Sequence, residues 1–287
     1  MTTESLQPED FLSGETGHVA GARRTVWRTA ADALLDLRTR GTARALDELS
    51  DATPRRSVLV LSVYRPHSRQ IEPAVAELET AHHELRLALG STGEPLPGLA
   101  ANTVATGLSG GKFQNLNALL ETTGGQGFDW LLVLDDDVDL PHRFLDRFVA
   151  VCEHFDLELA QPAQTLMSHA AWRVTRRRSR SLVRETRFVE IGPVTAFGMQ
   201  AVAAFTPFPD LRYGWGLDLH WAALAADRGW KLGVVDALPV RHESAPVATA
   251  YRHDDAIEEA REFLADKPFV RAQDAQETLV THRKVHE

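Results

Sequence analysis

The sequence predicts an α/β fold: a central, mostly parallel sheet of Rossmann-like type, flanked by helices and preceded by a helical extension. Two observations carry this. Between residues 57 and 154, apolar β-branched runs alternate with stretches of helical length, the pattern of strands joined by crossover helices. The strongest run, Trp130-Leu131-Leu132-Val133-Leu134, passes directly into Asp135-Asp136-Asp137. That sets three carboxylates at a strand end, where open α/β sheets bind ligands.

In chain order, residues 1–20 are polar and expected to be loose. Val26, Ala30, Leu34, Leu35, Leu37, Leu46 and Leu49 suggest an apolar stripe and predict helix over 22–50, with Gly41 a point at which it can divide. This segment either covers the domain or makes a contact in a homodimer. Ser57 to Val63 is continuously apolar and reads as a buried parallel strand. A helix follows over about 70–83, then a strand at Glu84–Leu89, a Gly/Pro-rich loop, and a short strand at Thr103–Ala105. Gly107 to Gly111 lead into a helix over about 112–121. After the acidic triplet, Pro141 starts a helix running to about His154, as proline often does in a first turn. Residues 161–208 read as less regular. A helix over 218–228, a last strand at Leu232–Val235 and a polar helical tail from Asp254 complete the chain. The expected divisions are an extension over 1–55, an α/β domain over 56–250 and a C-terminal helical tail over 251–287.

Composition narrows the function classes. The 287 residues are 44% hydrophobic and 25% charged, an ordinary globular balance. A formal net charge of -9 argues against general nucleic-acid binding. The single cysteine, Cys152, excludes an internal disulfide, and its apolar neighbours suggest a buried small hydrophobe. No segment is apolar enough to span a bilayer, and residues 1–21 lack the pattern of a secretory signal. A cytoplasmic protein is expected.

The acidic triplet suits a hard divalent cation, Mn2+ or Mg2+, which prefers oxygen ligands and leaves room for phosphate oxygens. An EF-hand is excluded, because counting from Asp135 puts Leu140 at the sixth position and Asp146 at the twelfth. Asp135-x-Asp137 also matches the start of haloacid-dehalogenase-like phosphatases, in which the first aspartate is a covalent nucleophile. That motif usually opens the first strand, however. The plainest alternative is a solvated acidic turn, disfavoured because three adjacent carboxylates repel one another without a cation.

Leu134-Asp135-Asp136-Asp137 after an apolar strand resembles the D-x-D motif of GT-A-fold glycosyltransferases. Ser57 to Tyr64 resembles the first nucleotide-binding strand of glycosyltransferase family two. Gly111-Lys112-Phe113-Gln114-Asn115-Leu116-Asn117 resembles that family's G-K-x-x-A-L-N element, with Asn115 in place of the usual Ala. Tyr213-Gly214-Trp215-Gly216-Leu217-Asp218, Gly233 to Asp236 and Arg241-His242 are similar to an uncharacterised domain family of plants and bacteria, domain of unknown function 707. The resemblance spans about residues 57–245. It implies a metal-dependent transfer of a sugar from a nucleotide-diphosphate donor, UDP favoured, to a small-molecule or glycan acceptor. By position, Asp135 would contact the nucleotide ribose and Asp137 the metal, with Asp136 between them. Tyr64 and Arg65 would sit by the base, and Lys112 and Asn117 near the nucleotide. The second strand ends in Leu89-Gly90-Ser91, without the acidic residue that often reads the base.

The same resemblance implies a general base at Asp218, at the start of a helix whose dipole favours a carboxylate. Attack aided by that base would invert the anomeric carbon. The plain alternative is a helix cap, for which Asp is also a favourite. Gly214 and Gly216 would let the acceptor loop come close to a ligand, and Trp215 would offer its indole face to a sugar. His242, after the last strand, would complete the metal site, with Glu243 as the rival ligand. The arginines from Arg173 to Arg187 read as a loop closing over phosphates or, more simply, as a solvated surface segment. Two other classes stand beside the transferase: a metal-dependent phosphatase or other phosphotransfer enzyme, and a non-catalytic nucleotide-sugar-binding protein.

Overall fold

The computed structural model describes residues 6–14, 22–124, 127–242 and 252–285. A short helix, α1 (Pro8–Phe11), lies inside the segment expected to be loose, anchored by the buried Phe11 ring. Helix α2 (Ala22–Ala52) runs straight through Gly41. Its C-terminal half is clamped to the domain: Leu46 is buried, and Asp47 accepts from both Arg143 and Arg147. Those contacts outweigh the cost of one helical glycine, about 1 kcal/mol. The expected apolar stripe is only partly inward, for Val26, Leu34 and Leu37 are exposed.

The nucleotide-fold half follows in the expected order: β1 (Ser57–Tyr64), α3 (Ile71–Leu78), β2 (Glu84–Ser91), β3 (Thr103–Ala105), α4 (Lys112–Thr123) and β4 (Trp130–Asp135). β1 pairs in parallel with β2 on one side and β4 on the other, and Val63 lies opposite Asp135. Alternate residues of β1 and β4 feed two cores on opposite faces, Leu59, Leu61, Leu131 and Val133 on one and Val58, Val60, Leu132 and Leu134 on the other.

The second half comprises β5 (Val138–Asp139), α5 (Phe144–His154), β6 (Leu157–Gln164), β7 (Val183–Thr186), β8 (Val194–Gly198), α6 (Met199–Phe205), α7 (Leu217–Asp227), β9 (Lys231–His242), α8 (His253–Leu264), α9 (Ala272–Ala275) and β10 (Thr278–His282). Cys152 is fully buried in α5, and burial pushes its thiol well up. The stretch expected to be irregular holds β6, β7, β8 and α6. β6 and β7 carry Gln161, Pro162, Gln164 and Arg184, so no apolar run marks them. The final segment, expected to be helical, ends instead in the strand β10, rich in β-branched residues and paired to β7.

The sheet order is β10-β7-β9-β6-β8-β4-β1-β2-β3, with β5 pairing to β9 off that path. Among the described residues only β7 and β8 run against the other strands of this path. The sheet is therefore mostly parallel. The ends of β1, β4, β6 and β9 gather at one edge, as does the segment entering the reversed β8. No described helix is long and apolar enough to cross a membrane.

The arginine-rich segment is solvated only in part: Arg173, Arg178, Arg180 and Arg187 are exposed, whereas Arg177 and Arg184 are folded in. The fully buried Arg184 makes a two-pronged ion pair with Asp236 at 2.7 and 3.0 Å and donates to the carbonyls of Val174 and Arg176. Arg177 is buried against Asp32 and Asp36 of α2. Asp32 in turn accepts from the backbone N–H groups of Leu166 and Met167.

Candidate active site

The acidic triplet leaves β4 and turns back into β5. There Val138 lies opposite His242 at the end of β9, and Asp139 opposite Arg241. This ladder brings His242 Nε2 to 3.0 Å from Asp137 Oδ1. His242 is the last residue of a strand that runs seven residues past the expected Val235. Its backbone N–H is held by Ser168 Oγ. Burial pulls the ring's pKa down, but the adjacent Asp137 and nearby Asp135 outweigh that and raise it. Glu243 lies outside the described residues.

Each carboxylate of the triplet has a protein cation. Asp135 is 2.7 Å from Lys112 Nζ, at the start of α4. Burial still raises Asp135, against the pull of Lys112. Asp136 accepts from the Arg65 backbone N–H, Nε and Nη2 at 2.8–2.9 Å, and its carbonyl accepts from Ser68 Oγ. Arg65 also approaches Asp137 at 3.4 Å. Arg65, Lys112 and His242 offset part of the repulsion expected within the triplet, although Asp137 still helps to raise Asp135. Asp136, whose role the sequence left open, is the anchor of the β1 end.

The ligand atoms of Asp135, Asp137 and His242 all lie within 4.8 Å of one another. Two carboxylate oxygens and one imidazole nitrogen are a donor set that fits Mn2+ well. A second group, His82, His83 and Asp146, lies at the opposite edge of the sheet. His83 Nδ1 accepts the Arg56 N–H at 3.2 Å, and burial pushes the ring down to about 4. The neutral ring therefore carries its proton on Nε2 and offers no lone pair to an ion there.

Asp218 sits in the first turn of α7 and is 5% exposed. The cap position belongs to Gly216, so Asp218 is not the plain helix cap. Its Oδ1 accepts the Leu219 N–H at 2.9 Å and its Oδ2 the Ile191 N–H at 3.4 Å. Burial, and then the Glu190 carboxylate, push it up to about 7. Gly214 and Gly216 both take positive φ, 75° and 83°. A Cβ on Gly214 would lie 2.4 Å from the Phe113 ring. Trp215 is partly buried against the core, its ring 5.6 Å from that of His253.

Two expected donor contacts are turned into the fold. Tyr64 is fully buried, with its hydroxyl on Thr103 Oγ1 and the Leu96 N–H. Asn117 is spent on both backbone groups of Phe208.

No local signal marked Glu190, in the segment between β7 and β8. Its Oε2 accepts from Gln164 Nε2 at 2.8 Å and Thr175 Oγ1 at 3.2 Å. Burial raises it to about 7, against the pull of His242 and Lys112. Nor did anything mark Glu259 of α8, whose carboxylate accepts the consecutive N–H groups of Arg212, Tyr213 and Gly214 at 2.7–2.9 Å.

Solved structures share this architecture. The fold is that of the GT-A glycosyltransferases. GalNAc-T7 with UDP, GalNAc and Mn2+ is similar at a TM-score of 0.50 and 11% identity, over 73% of this chain and 47% of that one. S. aureus TarS 1-349 with UDP-GlcNAc is similar at a TM-score of 0.50 and 13% identity, over 71% of this chain and 64% of that one. The chain thus spans about half to two thirds of those GT-A chains. No family model matches it, and no curated protein does. The resemblances to glycosyltransferase family two and to the 707 family rest on motifs alone.

Proposed function

We propose that this protein is a metal-dependent glycosyltransferase that moves a sugar from a nucleotide-diphosphate donor, UDP favoured, to an acceptor hydroxyl or amine. One observation carries the reading. On a GT-A fold, the Asp135, Asp137 and His242 cluster and the buried Asp218 meet at the same sheet edge, joined through the Ile191–Pro193 segment. Ile191 N–H binds Asp218, the carbonyls of Ile191 and Gly192 hold Lys112 Nζ, and Pro193 O accepts the Asp135 N–H.

Asp135, Asp137 and His242 would hold the cation, Mn2+ in preference to Mg2+ because of the imidazole. A divalent ion bound there supplies positive charge to the donor diphosphate and its departing nucleotide. Lys112 and Arg65 add fixed positive charge at the same edge. Asp218, poised near neutral pH, takes the acceptor proton as the nucleophile attacks, so the reaction inverts the anomeric carbon. Its burial keeps water from competing for that proton. The Tyr213–Gly216 loop, drawn in by Glu259, presents Trp215 to the acceptor.

The test is thermal melting of the purified protein with UDP, GDP, dTDP and CDP, each with and without Mn2+, followed by nucleotide release from the matching sugar donors. Stabilisation that needs both metal and one nucleotide, together with donor cleavage lost in Asp218→Asn, is the expected result. No response to any pair sinks the reading.

A further inference from the structure

The segment between β7 and β8 touches both ends of the site. Its carbonyls hold Lys112 and the Asp135 N–H on the metal side, and its Ile191 N–H holds Asp218 on the other. Glu190 lies within this segment, next to Ile191. Its backbone N–H is pinned by Gln161 Oε1, and its Oε2 by Gln164 and Thr175. Among the described residues no protein donor reaches its Oε1, and that oxygen keeps contact with solvent. A carboxylate oxygen can only accept, so it needs an O–H or N–H from a ligand or water.

In a single-displacement transfer, the leaving phosphate and the attacking oxygen flank the anomeric carbon. The transferred sugar must then lie between the Asp135, Asp137 and His242 cluster and Asp218. Glu190 stands beside that space. We propose that Glu190 is a specificity-determining residue whose Oε1 accepts a hydrogen bond from one hydroxyl of the transferred sugar. This rests on the transferase reading. Once the bound sugar covers that oxygen, an analogue lacking the hydroxyl leaves it unpaired, and sites built to bond a hydroxyl reject such analogues by on the order of 10⁴-fold. Gln164 and Thr175 fix the carboxylate before the ligand arrives, so little ordering remains to oppose the bond.

The experiment has two stages. Nucleotide release is first measured with Mn2+ and a panel of UDP-, GDP-, dTDP- and CDP-hexoses. If none is cleaved, the transferase reading fails and this proposal falls with it. With the donor in hand, its monodeoxy analogues are compared in the parent and in Glu190→Ala. The expected result is one ring position whose deoxygenation costs the parent heavily in kcat/KM. At that position alone the penalty collapses in Glu190→Ala, with the Mn2+ half-saturation unchanged. An unaltered penalty at every position overturns the proposal. So does a weakened Mn2+ half-saturation, which would make Glu190 a metal ligand. If Glu190→Ala does not fold, Glu190→Gln serves, since it keeps an oxygen for Gln164 and Thr175. With that oxygen turned to Gln164 and Thr175, the group facing the sugar is an NH2 that donates and cannot accept from the hydroxyl, so its penalty at the same position must fall at least tenfold.

Discussion

His242 Nε2 lies 3.0 Å from Asp137 Oδ1 because Val138, the residue after Asp137, is the cross-strand partner of His242. Residues more than a hundred positions apart become one ligand set through a two-residue ladder. Substituting His242→Ala or Asp137→Asn should abolish metal-dependent nucleotide binding. At a nucleotide–Mn2+ concentration of 100 Kd, the parent should gain about 2.7 kcal/mol of stability. Both variants should gain almost none. Thermal melting with and without Mn2+ measures this.

Asp218 sets the pH dependence. A base raised to about 7 must lose its proton to work, so kcat should rise with pH and level off above neutrality. Asp218→Asn should abolish transfer while leaving nucleotide and metal binding intact. A kcat profile flat from pH 5 to 8 speaks against this role.

The same shift has a cost in stability. The folded pKa of Asp218 lies above its unfolded value near 3.8, so between about pH 4 and 7 the folded state binds more protons. Stability must therefore fall as pH rises through that window. Asp218→Asn should melt later than the parent at pH 8, by on the order of 1–3 kcal/mol, and the gain should vanish near pH 4. Denaturant titrations at the two pH values check the sign.

Arg184 and Asp236 form a pair with no access to water. Removing one partner leaves the other charge buried and alone, which costs about 3–5 kcal/mol. Asp236→Ala should lower the denaturation midpoint accordingly, and the segment from Gln164 to Arg187 should become the preferred site of proteolysis.

Glu259 latches the loop that carries Gly214, Trp215 and Gly216. Glu259→Ala frees three backbone N–H groups at once. The acceptor KM should rise while metal-dependent nucleotide binding is retained, a split that steady-state kinetics beside thermal melting resolves.

The parallel half of the fold was legible because buried parallel strands are continuously apolar, as β1 and β4 are. Asp135 and Asp137 were legible because they follow such a strand directly. β6, β7 and β8 were not, since the polar residues they bury are matched across the fold and leave no local pattern. Gln161 and Gln164 reach toward Glu190, and Arg184 toward Asp236. The same long-range pairing hid Glu190 and Glu259, each an ordinary acid in sequence.

By itself, then, the sequence determined the α/β class, the strand that bears the carboxylates and the helix that bears Asp218. Local periodicity and turn chemistry are enough for that. Only the tertiary structure decided which charges meet. It gave Asp135 to Lys112, Asp136 to Arg65 and Asp137 to His242, and it turned the hydroxyl of Tyr64 inward to Thr103. Those choices depend on the register of β5 against β9 and on the reversed direction of β8. Both follow from burying two apolar faces at once, which no short stretch of chain can specify alone.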